Sequence, residues 1–153
     1  MVVWLGGRKL AYTAPRLIDV NAKSRLIRDC RRLLIFGRCV ELEHPEVYKG
    51  FVERGYCPLS VCLEAEHVNM VGFKLAGILG RGDYEEVAVL TVDGSMHCTQ
   101  LHWMVEEVFK FMRLDNSRRR HFVIHEGKLV EVSQASVKAS RFLAHVDGLL
   151  RKG

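Results

Sequence analysis

At 153 residues the chain has room for one domain with a real core and too little for two ordinary ones. Hydrophobic residues make up 48% of it, which excludes a chain that is disordered by composition. The formal net charge of +5 favours anionic partners and says nothing about fold.

The opening, MVVWLGGRKL, has too short an apolar run for a secretory signal and lacks a small-residue cleavage site. The longest apolar stretch, 68-VNMVGFKLAGILG-80, carries Lys74 and falls short of the roughly 20 residues that a membrane span requires. A soluble, cytoplasmic protein without a membrane partner is therefore expected. Only three Asn and two Gln stand against 23 Lys+Arg and 18 Asp+Glu, a bias that leans thermophilic. Five cysteines (Cys30, Cys39, Cys57, Cys62, Cys98) in such a chain are expected to be buried, metal-bound or catalytic. The thermophile-like composition keeps a Cys57–Cys62 or Cys30–Cys39 disulfide open as an exception.

In chain order, residues 2 to 5 suggest a short strand, followed by Gly6-Gly7 and a loop ending near Pro15. Residues 19 to 36 read as a helix capped by Asp19 or Asn21. Leu26, Cys30, Leu33 and Leu34 share one face, Arg25, Arg28 and Arg32 the other, and Gly37 is the stop. Within 40–58 a short helix begins at Pro45 and ends at Gly55. Residues 59 to 80 form the longest helical candidate, apolar on almost every side, with Cys62, Glu66 and Asn69 stacked in one polar stripe.

Gly80 to Asp83 turns the chain into strand 86–92, whose unbroken apolar character suits a strand covered on both faces. A helix over 98–112 follows, with Leu101, Val105, Val108 and Met112 facing the core, and then a solvated loop, 115-DNSRRR-120. Residues 121–132 alternate, turn at Glu126-Gly127 and alternate again, as a β-hairpin does. Ser133 caps a last amphipathic helix that offers Val137, Phe142, Leu143, Val146, Leu149 and Leu150 to the core. The expected architecture is one α/β domain, three-layer-like. It has a small mixed sheet with strand 86–92 at its centre, the hairpin 121–132 alongside, and four or five helices.

The stretch 93-DGSMHCTQLH-102 concentrates the chemistry. A buried strand, a Gly-containing loop and a helix N-terminus are where α/β sheets collect their ligands. The free amides and dipole there favour an anion, so Asp93, Gly94 and Ser95 frame a candidate site for a cofactor or small anionic ligand. The same field stabilises Cys98 as a thiolate. Cys98 and His102 are one helical turn apart, a spacing that paired metal ligands use. Upstream, Cys57 and Cys62 form a C-x4-C pair that matches one spacing of iron–sulfur ligation but lacks the third close cysteine.

If these halves meet, Cys57, Cys62 and Cys98 with His97, His102 or Cys39 suit zinc or an iron–sulfur cluster, with Glu66 and Asn69 orienting the ligands. The expected function is then a metal or iron–sulfur protein, with a redox partner protein if the centre carries electrons. An alternative is a thiol-dependent enzyme with Cys98 as nucleophile, His97 or His102 as base, and Glu66 or Asp93 orienting that base. The G-x-S-x-G elbow is absent. A second alternative is a basic nucleic-acid module using Arg25, Arg28, Arg31, Arg32 and Arg118 to Arg120, although acidic residues are well mixed among them. His44, His121, His125 and His145 read as turn, edge-strand or surface residues. No Walker, Rossmann, ferredoxin, thioredoxin or zinc-finger spacing is matched closely.

Overall fold

The computed structural model describes residues 11–153 throughout. Before them it gives the backbone of two short strands, β1 (Trp4–Leu5) and β2 (Arg8–Lys9), paired antiparallel. The strand expected over residues 2–5 ends in β1, while Val2, Val3 and Gly6-Gly7 lie outside the described residues.

The run 32-RLLIFG-37 is strand β3 (Arg32–Gly37), not the end of a helix. Leu33, Leu34, Ile35 and Phe36 are consecutive and all fully buried, as suits a strand covered on both faces. Helical structure in this region shrinks to one turn, α1 (Arg25–Arg28), and leaves Leu26 exposed. Two short helices, α2 (Val40–Glu43) and α3 (Pro45–Glu53), then lead to strand β4 (Tyr56–Val61). Pro45 opens α3 and Gly55, at φ +89°, ends the turn after it, as the sequence suggests. Strand β4 takes in Leu59 to Val61, which were expected to begin the long helix. It lies at the edge of the sheet, where the missing N–H of Pro58 is tolerated.

The long helix expected over 59–80 is therefore confined to α4 (Val68–Leu79), capped by His67, whose Nδ1 accepts from Asn69 N. Strand β5 (Glu86–Val92), helix α5 (Met96–Phe111), strands β6 (Arg119–His125) and β7 (Lys128–Val132) follow close to their expected positions. The last helix is split into α6 (Gln134–Ala139) and α7 (Leu143–Lys152). At the break, Ser140 Oγ donates to Val137 O and accepts from Trp103 Nε1, which ties α6 to α5. Of the apolar residues offered there, Val137 is buried, whereas Phe142, Leu143, Leu149 and Leu150 stay exposed.

The main sheet runs β4-β3-β5-β6-β7, with β3 to β6 parallel and β7 antiparallel at the far edge. Side chains alternate between two cores. Leu33, Ile35, Val87 and Val89 pack with Val71, Leu75, Ile78, Leu101, Val105 and Val108 of α4 and α5. Leu34, Phe36, Ala88, Leu90, Phe122 and Ile124 pack with Val40 and Phe51 of α2 and α3. This is a three-layer α/β domain, with seven α-helices among the described residues rather than four or five. No described helix is long and apolar enough to cross a membrane.

One disulfide, Cys30–Cys57, pins the segment before β3 to β4, with Cα atoms 6.2 Å apart. The two pairs that the sequence keeps open fail on distance. Cys57 and Cys62 stand at opposite ends of extended β4, and Cys30 and Cys39 flank β3, while extended chain rises about 3.3 Å per residue and a disulfide spans at most about 7 Å between Cα atoms.

Candidate functional site

Strand β3 lies between β4 and β5, and successive connections leave it toward opposite faces. The order in which the chain leaves β3 and β5 makes the region beyond their carboxyl ends the switch point, where doubly wound sheets form their ligand crevice. Three free cysteines come to it from three neighbouring parallel strands: Cys39 two residues past β3, Cys62 directly after β4, and Cys98 on the first turn of α5 after β5. Gly37, at the end of β3, lies against Cys98. A Cβ there would sit 3.7 Å from Cys98 Sγ and 3.9 Å from the Cα and Cγ2 of Thr91. Ser95 caps α5 by accepting from Cys98 N, and Gly94, at φ +92°, makes the turn that no other residue enters readily.

Cys39 is exposed, and Cys62 and Cys98 are half-buried. The protein around Cys39, followed by the neighbouring thiols of Cys98 and Cys62, pushes its thiol above the ordinary cysteine range. Among the described residues no three His, Cys, Asp or Glu side chains are already grouped to hold a metal ion.

Two members of the expected ligand set are elsewhere. Cys57 is bonded to Cys30 and has no thiolate to offer. His102 points away from Cys98 into the core, with both ring nitrogens engaged. His97 is half-buried on the first turn of α5, beside Cys98. Glu66 is not on a helix with Cys62 and Asn69. It closes the turn after β4, where Oε1 accepts from Cys62 N at 3.0 Å and Oε2 pairs with Arg38 at 2.5 Å. With both oxygens held, it braces the crevice wall and orients no histidine. Asp93 pairs with exposed His125 at 3.0 Å, and Asn69 is exposed on α4.

A second cluster, unanticipated as such, lies inside the domain between β5, β6 and α5. Thr91 Oγ1 and His102 Nε2 are 2.9 Å apart, His102 Nδ1 and His121 Nδ1 2.8 Å, and His121 Nε2 and Glu106 Oε1 2.8 Å. Arg119 closes the row on Glu106 Oε2 at 2.7 Å. His121, expected as an edge-strand residue, is wholly buried. Burial first, then His121, lowers the pKa of His102 to about 3. Burial raises that of Glu106, but the His121 hydrogen bond and Arg119 charge outweigh it and leave the carboxyl below its usual range.

The basic runs are partly neutralised by ion pairing, and of these pairs only that of Arg119 is buried. Arg31 meets Glu85, Arg118 meets Asp83, Arg119 meets Glu106, and Arg120 bridges Glu86 and Glu131.

Cys39 and the histidine cluster did leave sequence signals. Read as a strand, 32-RLLIFG-37 puts Cys39 at a carboxyl end. His102 and Glu106 are one turn apart on α5, and Arg119 and His121 two apart on β6, which sets each pair on one face. A family model described as a Rossmann-like domain matches residues 26–147. No curated protein and no solved structure matches the chain significantly.

Proposed function

The chain belongs to the Rossmann-like domain family, and from that fold we propose that Cys39, Cys62 and Cys98 together take up a thiophilic metal, zinc or an iron–sulfur centre, in the switch-point crevice. His97 at its mouth is an additional donor. The observation that carries this reading is the delivery of three unbridged cysteines, from the ends of three adjacent strands, to one crevice. Thiols gathered this way oppose one another's ionisation, and a bound cation removes that penalty and releases their protons. Sulfur donors select zinc, copper(I) and iron–sulfur chemistry over hard cations. Ligation draws the sulfurs from their separate positions toward a common point. The fold argues for the place of the site, and the donor set argues for its chemistry.

The test is anaerobic purification with metal analysis and an absorption spectrum on the same sample. It uses wild type, Cys39→Ser, Cys62→Ser and Cys98→Ser, with Cys30→Ser as the control outside the crevice. Near-stoichiometric zinc or iron in wild type and the control, lost from each crevice variant, is expected. Metal-free wild type that also fails to take up zinc or iron on reconstitution overturns the reading.

A second reading rests on Cys98 alone. It stands half-buried on the first turn of a 16-residue helix, beside His97. This reading has lost its base at His102, which faces the core. Selective alkylation of Cys98 in metal-free protein at neutral pH is its signature.

A further inference from the structure

Outside the thiol crevice, the row Thr91–His102–His121–Glu106 is a buried chain of proton-carrying groups that metal uptake does not use. Its hydrogens can be assigned from chemistry. Glu106 is ionised against Arg119, so it only accepts, and His121 Nε2–H donates to it. With both rings neutral, His121 Nδ1 must then accept from His102 Nδ1–H, and His102 Nε2 must accept from the Thr91 hydroxyl. Every donor points toward Glu106. Thr91 Oγ1 keeps free lone pairs and stands at the proton-receiving end.

That end opens on a cavity of about 410 Å3 between β5, β6, β7, α5 and α6. Its lining joins Thr91 and His102 to an apolar wall of Val92, Val123, Val130 and Val137. The other end, Glu106 and Arg119, lines a separate cavity of about 510 Å3. Two imidazoles inside a domain cost desolvation that an apolar pair would avoid. A packing role alone gives no reason for their chain to run from one cavity to another.

We propose that the 410 Å3 cavity is a second site, which takes a small molecule with an apolar body and an acidic hydroxyl, a phenol or an enol, and deprotonates it through Thr91, His102 and His121. The ligand's O–H bond breaks, and its proton goes to Thr91 Oγ1 as the Thr91 proton moves to His102 Nε2. The His102 Nδ1 proton moves to His121 Nδ1. His121 ends as an imidazolium against the Glu106 carboxylate, the ligand ends as its oxyanion, and no electron moves. A base of this kind matches an acidic hydroxyl and not an ordinary alcohol. The charged groups facing the chain are Glu106 on α5 and Arg119 on β6, with Asp93 and His125 at the cavity rim. From β7 and α6 the lining is valine and serine.

The probe is 4-nitrophenol, added to the full-length protein at a pH just below the phenol's own pKa, where ionisation is read directly from the phenolate band. Wild type is expected to raise that band saturably. Thr91→Val is expected to weaken the effect about tenfold, the loss of one buried hydrogen bond, and Thr91→Ser to restore it. Val130→Trp, which fills the cavity mouth from half-exposed β7, is expected to abolish it, and Cys98→Ser to leave it unchanged. The last variant separates this site from the thiol crevice. Absence of saturable binding, binding of the phenol in its neutral form, or indifference to Thr91→Val or Val130→Trp overturns the proposal.

Discussion

His102 makes folding stability a function of pH. Its imidazole has a pKa near 6.5 unfolded and about 3 in the fold, so between those values the unfolded chain holds the extra proton. Stability therefore rises with pH through this window and falls as pH drops from 6.5 toward 3. At about 1.4 kcal/mol per pH unit for a fully shifted group, roughly 2 kcal/mol is expected to be lost between pH 6.5 and 5 in urea unfolding. Depressed Glu106 adds to the loss at still lower pH. In His102→Gln the slope over that window is expected to flatten, and an unchanged slope would assign the dependence to other groups. Gly37 gives a second residue-scale test. A Cβ at 3.7 Å from Cys98 Sγ is ordinary contact, so Gly37→Ala is expected to fold and bind metal. Gly37→Val places methyls where that sulfur stands and is expected to lower metal content while thermal unfolding remains cooperative. Cys98 at the start of α5 was legible from residue order alone. The inward turn of His102 was not, because i, i+4 spacing sets a face and does not say what covers it.

At the scale of elements, the hairpin and the helix preceding it were readable because their signals are local. Glu126 and Gly127 both adopt positive φ, 49° and 76°, the backbone of a type I′ turn. Glutamate is poorly suited to that conformation, so Glu126→Asn is expected to raise stability by about 0.5–1 kcal/mol, read as a shift of the urea midpoint at constant slope. Strand β3 and the second half of β4 were misread as helix for one reason. Their apolar runs are short and continuous, and periodicity cannot separate a doubly covered strand from a buried helix. Pro58 was the available hint for β4, since the residue before it favours extended backbone. Once β3 is read as helix, Arg38 drops out of the site and Cys39 is left as one option for a fourth ligand, because no strand end is there to carry them. Likewise the stripe of Cys62, Glu66 and Asn69 dissolves, and Glu66 takes on an architectural part with Arg38.

For the whole molecule, pairing of strands distant in sequence decides what the site contains. The order β4-β3-β5 brings Cys39, Cys62 and Cys98 together, and nothing local in the sequence encodes that order. The same pairing places Cys57 beside Leu33 and within bridging reach of Cys30. A bridge between residues 27 apart removes unfolded-chain freedom worth about 3.5 kcal/mol, so reduction or Cys30→Ser is expected to lower unfolding stability by that order. Thiol titration of the denatured protein is expected to count three groups without reductant and five after reduction. Five in the unreduced chain would return Cys57 to the set of candidate ligands.

The most direct measurement is titration of the metal-free protein, with its Cys30–Cys57 disulfide intact, with cobalt(II), followed by its visible and near-ultraviolet spectrum. Three sulfur ligands at the switch point are expected to give intense thiolate-to-cobalt charge-transfer absorption that saturates at one ion per chain. That absorption is expected to fall when Cys39, Cys62 or Cys98 is replaced by serine, and to persist in Cys30→Ser. A spectrum of hydrated cobalt alone, or one indifferent to the three crevice cysteines, would contradict the thiolate site.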